Sequence, residues 1–230
     1  MMGNQALLAC GMAAGPVFTL TYLLEGAGRV DYKPFRHPVS SLSLGRAGWA
    51  QTVSFLFVGL LSLIFAVGLW HVGPSRWGAL LMGTWAVGLL GAGVFRTEPV
   101  SGYPPGTPDQ LQGHTRAGAL HDLFSLIGFL ALTVGCFVFT LSGSPGWVIY
   151  SIASGVLFAG TMALASAAFS QHQRWVDLGG LIQRVALTIG WTWQTLLAGA
   201  SCTPDGCPAA SGRVRDDLAV AGVITASEPS

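Results

Sequence analysis

Five stretches of this chain, residues 5–24, 52–69, 77–95, 123–141 and 147–169, contain no Asp, Glu, Lys or Arg. Each is about as long as a helix must be to cross a hydrocarbon core of about 30 Å at about 1.5 Å per residue. Inside lipid every backbone N–H and C=O has to be satisfied within the element or its closed sheet, so single apolar runs of this length span as helices. A sixth run, 178–200, carries one charge, Arg184. The expected fold is an all-α integral membrane protein, a bundle of six transmembrane helices over residues 1–200.

Composition agrees with that reading. Charged residues make up 9% of the chain and hydrophobic ones 51%, where a soluble domain carries roughly 25% charged residues. The mean hydropathy is +0.57. A formal net charge of +1 provides no cationic surface of the kind that displaces counterions from nucleic acid. The expected partner is the lipid bilayer of the cell (plasma) membrane. The first run has no Lys or Arg before it and continues past Cys10, so it reads as a span rather than a cleaved leader.

Smaller signals refine the spans. Gly11 and Gly15 have the spacing that lets two helices approach closely, here expected within one chain, and Pro16 is expected to kink the first span. Trp49, Trp70, Trp77, Trp147 and Trp175 lie near span ends, as interfacial aromatic anchors do. Cys10, Cys136, Cys202 and Cys207 have no zinc-site spacing. From residue 201 the chain turns rich in Ser, Pro, Gly and Asp and reads as a flexible polar tail, within which Cys202 and Cys207 are spaced for a small disulfide loop or stand as free thiols.

Six spans put the first, third and fifth loops on one face of the membrane. The first two of these, 25–51 and 96–122, are far longer than the two to eight residues that join antiparallel helices, and long loops tend to carry function. They hold His37, His114 and His121, with Glu98 and Asp122. The opposite face has only His71 and Arg76 in the second loop and no charge in the fourth. By the positive-inside rule the odd loops, with Arg29, Lys33, Arg36, Arg46, Arg96, Arg116 and Arg174, belong in the cytoplasm, against Arg76, Arg213 and Arg215 on the other face. Charges recruited to a binding site would weaken that rule.

His114, Gly118, His121 and Ser125 fall on one stripe if a helix runs through them. Two imidazoles beside Asp122 and Glu98 suit acid–base work or a metal. On a regular helix, however, His114 and His121 stand about 10.5 Å apart along the axis, too far to share one zinc ion with bonds near 2.1 Å. Zinc or another divalent metal on His114, His121 and Glu98 therefore requires His114 in the loop before the helix. Haem is not expected, because no histidine on a second helix sits at matching depth. The plainer reading makes both histidines interfacial residues bonded to loop backbone, with Asp122 supporting the helix start.

Arg184 lies about two turns inside its apolar run, where a charge costs about 2.5 to 3.5 kcal/mol. It either snorkels to the odd-loop interface or pairs with Glu98 or Asp122 in a polar pocket, or holds an anionic head group.

Three segments also resemble a known family. Residues 38–51, Pro-Val-Ser-Ser-Leu-Ser-Leu-Gly-Arg-Ala-Gly-Trp-Ala-Gln, entering a span with Phe55 and Gly59, resemble the first-loop signature of the prokaryotic membrane family called domain of unknown function 998. Phe95-Arg96-Thr97-Glu98-Pro99 followed by His114 and His121-Asp122 is similar to its third-loop signature, and Gly180-Leu181-Ile182-Gln183-Arg184 to its entry into the last span. Glu98 stands where Asp is commoner in that family, and Gln183 where Glu is commoner. The resemblance covers about residues 5 to 200. It implies the six-helix architecture and the grouping of Ser41, Glu98, His114, His121 and Arg184, and it supplies no reaction.

The function expected from these residues is a polar pocket on the odd-loop face, formed by Ser41, Glu98, His114, His121, Asp122 and Arg184, that binds a lipid head group or a small polar ligand. The alternatives are a metal-dependent membrane hydrolase with Asp122 or Ser41 assisting, a transporter, and a non-catalytic assembly partner. Charge-free spans weigh against the transporter, since coupled ion paths need ionisable groups near mid-membrane.

Overall fold

The computed structural model describes residues 2–172 and 174–202. Six helices account for most of them: α1 (Met2–Ala27), α2 (Trp49–Val72), α3 (Arg76–Val94), α4 (Arg116–Val138), α5 (Pro145–Phe169) and α6 (Gly179–Cys202). Two short 3-10 turns, Val39–Ser43 and Phe139–Ser142, lie in the first loop and at the end of α4. Five helices, α1 to α5, are long and apolar enough to cross a membrane. The sixth predicted span is present as a helix but is less apolar, because Gln183, Arg184 and Gln194 lie within it. The polar tail beyond residue 202, and with it the Cys202–Cys207 disulfide reading, lies outside the described residues.

Each helix packs on the next in sequence, and α6 returns to α1, so the bundle is a closed ring. Aromatic side chains pack in the middle of the ring. Trp191 of α6 lies 5.5 Å from Phe18 of α1 and 5.4 Å from Trp85 of α3, centroid to centroid, and Phe18 lies 5.2 Å from Phe55 of α2. Gln194 is wholly buried and its amide is used at both ends. Its Oε1 accepts from Trp85 Nε1 at 2.9 Å, while its Nε2 donates to Ser62 Oγ and the Gly11 carbonyl at 3.3 Å each. One amide thus joins four helices in a setting where an unmet polar group would cost several kcal/mol, on the order of a full hydrogen bond.

The expected boundaries hold to within a few residues at most ends. Helix α4 is the exception, starting at Arg116 rather than 123, because Thr115 and Glu98 cap it. Gly11 and Gly15 serve packing inside the chain, against Phe65 and Trp191. Trp49, Trp70 and Trp77 face outward at the helix ends.

Candidate functional site

The first, third and fifth loops fold onto one another as a single cap over one end of the ring. Arg36 does most of this joining. Its Nε donates to the Ser101 carbonyl at 3.2 Å, Nη2 to Asp109 at 2.8 Å and Nη1 to Asp177 at 2.5 Å. Residues from all three loops meet on that guanidinium, a planar donor fork suited to several acceptors at once. Gln171 adds a bond from its amide to Ser101 Oγ at 3.3 Å.

Beneath Arg36 the rings of Tyr32, His37 and Tyr103 pack against one another with centroids 5.1 to 5.4 Å apart. The Tyr103 hydroxyl accepts from Arg29, whose guanidinium also donates to the Leu44 carbonyl and pairs with Glu25 at 2.7 Å. His37 is 3% exposed, and its Nδ1 accepts from the Lys33 amide at 3.0 Å. Burial, followed by the nearby charges of Arg36 and Lys33, pushes its pKa down to about 4, against the pull of a backbone hydrogen bond at Ser101. His37 is therefore a neutral packing group at ordinary pH.

Arg184 is held by the first loop and not by an acid. Its Nη1 donates to the carbonyls of Pro34, His37 at 3.3 Å and Gly180 at 2.9 Å, and its Nη2 to the Tyr32 hydroxyl at 2.6 Å. The guanidinium also lies 5.5 Å from the Tyr22 ring and 5.6 Å from that of Tyr32. Two neighbours complete the grip: the Leu181 amide donates to the Phe35 carbonyl at 2.9 Å, and Gln183 Oε1 accepts from the Val39 amide at 2.8 Å. A Cβ on Gly180 would run into the carbonyl oxygens of Pro34 and His37, so only glycine lets the loop this close. Residues 180–184 form a clamp on the backbone of the first loop. Glutamine at 183 keeps the acceptor that the Val39 amide needs. Of the alternatives open for Arg184, pairing with Glu98 or Asp122 is not made, since loop carbonyls and a phenol take its donors.

Glu98 and His121 each finish a helix. One carboxylate oxygen of Glu98 accepts from the Thr115 amide at 2.8 Å and the Thr115 hydroxyl at 2.5 Å, and Thr115 Oγ1 in turn accepts from the Gly118 amide at 3.1 Å. Together they satisfy donors at the start of α4. Gly118 leaves the room for this, since a Cβ there would meet the Glu98 carboxylate. The Thr115 hydroxyl is the main cause of a Glu98 pKa below the usual carboxylate value. At the other helix end, His121 Nδ1 lies 3.0 Å from both the Ala92 and Phe95 carbonyls. That nitrogen carries the proton and shares it between two orphan acceptors at the end of α3. His121 is buried, with its ring edge toward Phe55.

The remaining expected residues lie apart. His114 precedes α4 instead of lying on its stripe, and its Nδ1 is 3.7 Å from Asp122 Oδ2 with both side chains about half exposed. Ser41 is wholly buried in the 3-10 turn, and its hydroxyl, like the amide of Gln51 and the hydroxyl of Ser54, meets no partner among the described residues. The residues of the expected metal set, His114, His121 and Glu98, are not brought together by this geometry. His121 is committed to helix carbonyls and Glu98 to Thr115, and among the described residues no three His, Cys, Asp or Glu side chains gather as a metal would require.

Two neighbouring grooves lie on the flank of the cap. One, of about 330 Å³, runs between the start of α2 and the end of α3 and is lined by residues including Arg46, Trp49, Thr52, Gly93 and Arg96. The other, of about 310 Å³, is lined by Arg96, Glu98, Pro99, Pro104 and Thr115, among others. Arg96 stands in the wall of both. Neither Arg46 nor Arg96 was singled out from the sequence, where each is one cation among several in its loop. Arg36 was passed over for the same reason, and His37 was noted only as one histidine of the odd-loop face; Tyr32 and Tyr103 carried no charge to draw attention, although a loop reading Gly-Tyr-Pro-Pro-Gly-Thr-Pro at 102–108 signals a packed turn built around an aromatic ring.

Residues 12–200 match the model of the family described as Protein of unknown function (DUF998). The chain belongs to that family. The match spans most of α1 and everything through α6, so the three resembling segments are parts of one architecture: the first loop, the third loop with its capping acid and histidine, and the clamp. No curated protein and no solved structure matches the chain.

Proposed function

We propose that this DUF998 protein is a six-span protein of the cell membrane whose cap binds a lipid head group or a small polar ligand in the recess around Arg96. The observation that carries the reading is the position of Arg96: a cation with no hydrogen-bond or ion-pair partner among the described residues, standing between two grooves of about 330 and 310 Å³. The other arginines deeper in the cap, Arg29, Arg36 and Arg184, each bond through their terminal guanidinium nitrogens to neighbours within it. A cap that keeps unpaired cations beside a concave surface, with Arg96 in the wall of both grooves, has the features of a small-ligand site.

The sixth span is supported by how α6 is dressed. Its polar residues Gln194 and Arg184 turn inward or into the cap, while Leu181, Val185 and Leu196 are exposed on its outer surface. Its 24 residues extend about 36 Å at 1.5 Å per residue. A cytoplasmic position for the cap is the reading favoured by the cations that the fold does not use. Lys33, Arg46, Arg96, Arg116 and Arg174 have no side-chain partner among the described residues, whereas on the opposite face Arg76 lies over Trp70, and the positive-inside rule favours that arrangement.

The test is thermal unfolding of the purified full chain in mild detergent with glycerol 3-phosphate, phosphoethanolamine, phosphocholine or simple carboxylates. At ten times its Kd a ligand of the folded state adds about 1.4 kcal/mol. At least one of these compounds is expected to raise Tm, and Arg96→Ala to remove the effect. A wild-type protein stabilised by none of them overturns the reading.

A further inference from the structure

The groove between α2 and α3 has a composition that a soluble ligand would not need. Arg46 and Arg96, both exposed, line its upper part without a side-chain partner among the described residues. Gly45, just before Arg46, turns the chain with φ +76°. Below the arginines the groove is lined by Trp49 and Val94, 69% and 65% exposed, and about one helical turn beyond Trp49, outside the lining, Val53 is 52% exposed on the surface of α2. Cations thus sit above a tryptophan, and the tryptophan above an apolar flank that faces the bilayer. That order matches the order of groups in a membrane lipid: phosphate, interfacial glycerol region and acyl chain.

We infer that this groove is a binding site for an anionic phospholipid, with the Arg46 and Arg96 guanidinium groups on the lipid phosphate, Trp49 at the level of the glycerol and the first acyl carbons against Val53 and Val94. The inference rests on the reading of the cap face as a binding surface and names its ligand class. Guanidinium groups are matched to phosphate oxygens as charge-assisted donors. Two of them facing one phosphodiester leave an excess positive charge, which favours a head group such as phosphoglycerol and disfavours one with its own ammonium. The lateral opening selects a lipid over a free anion, because only a lipid uses the arginines and the apolar flank together.

The experiment titrates the purified full chain with dioctanoyl phosphatidylglycerol and, separately, dioctanoyl phosphatidylcholine, counting bound lipid by native mass spectrometry. Phosphatidylglycerol is expected to bind more tightly, with a preference that shrinks as ionic strength rises. Arg46→Gln and Arg96→Gln should each weaken it about fivefold or more, since one basic side chain near an anionic lipid surface is worth about that factor. Arg116→Gln, an exposed arginine of the same face outside the groove, should leave it unchanged. The salt dependence of the wild type tests the idea without any variant. Equal binding of the two lipids at low salt overturns it, as does full competition by inorganic phosphate, which would mark a free-anion site. Loss in Arg96→Gln with none in Arg46→Gln moves the ligand to the Glu98 groove, which overturns this inference and leaves the cap-face reading standing. If neither variant changes binding and no soluble compound stabilises the wild type, both fall.

Discussion

Replacing Arg184 with alanine should open the cap while leaving the ring of helices closed. The side chain makes three bonds to the first loop, to the carbonyls of Pro34 and His37 and the hydroxyl of Tyr32. A hydrogen bond to a charged group contributes about 1.5 kcal/mol at the low end, and Arg184 is only partly buried, so water recovers some of the loss. The expected cost is about 3 kcal/mol, a factor of about 150 in the opening equilibrium. Hydrogen-exchange mass spectrometry reads this directly, because the amides of His37, Val39 and Leu44 are bonded in the folded loop. In Arg184→Ala, peptides covering 33–44 should exchange about 150-fold faster, with α2 and α3 unchanged. Gln183→Ala removes one neutral bond, about 1 kcal/mol, and should speed the same peptides about fivefold. Gln183→Glu keeps the acceptor and should behave as the wild type. A change below fivefold in Arg184→Ala would refute the clamp. An equal acceleration across α2 and α3 would refute the separation of cap from ring.

Acid should loosen the same loop through His37. Its folded pKa of about 4 lies below the ordinary 6.5, so between those values the open loop takes up a proton that the folded loop does not. Stability conferred by the neutral ring is complete above about pH 6.5 and declines as pH falls toward 4. His37→Asn, which retains an acceptor for the Lys33 amide, should flatten exchange-versus-pH profiles of peptides 33–44 in that range. A slope unchanged from the wild type would exclude His37 as its source. His121→Phe leaves the Ala92 and Phe95 carbonyls without their donor and should cost about 1 to 3 kcal/mol, measured as a lower Tm in detergent, and zinc should raise the Tm of neither variant nor wild type. In a background without the native cysteines, Lys33→Cys should react with an impermeant maleimide only from the cytoplasmic side of oriented vesicles. Labelling from outside would reverse the proposed orientation.

The membrane class, the helices and most of their ends were legible in the sequence, because a charge-free run of about 20 residues leaves the backbone one way to satisfy itself in lipid. The one-sided distribution of long loops was legible for the same reason, since short connections suffice wherever antiparallel helices only need joining. Arg184, Glu98 and His121 were recognisable as special, each being a polar or ionisable residue at or within an apolar run. What each of them does was decided by the tertiary structure. The partners of Arg184 are carbonyls about 150 residues earlier in the chain, the carboxylate that caps α4 is 17 residues upstream of its threonine, and the acceptors of His121 end a different helix. Hydrogen-bond acceptors of the main chain carry no side-chain signature, so a sequence pattern cannot nominate them. The metal reading shows the same point: two of its three side chains, Glu98 and His121, already bond to backbone groups. Arg46 and Arg96 show the converse. In the sequence they are two of eleven basic residues, and only the packing of α2 against α3 brings them to one groove and leaves them free.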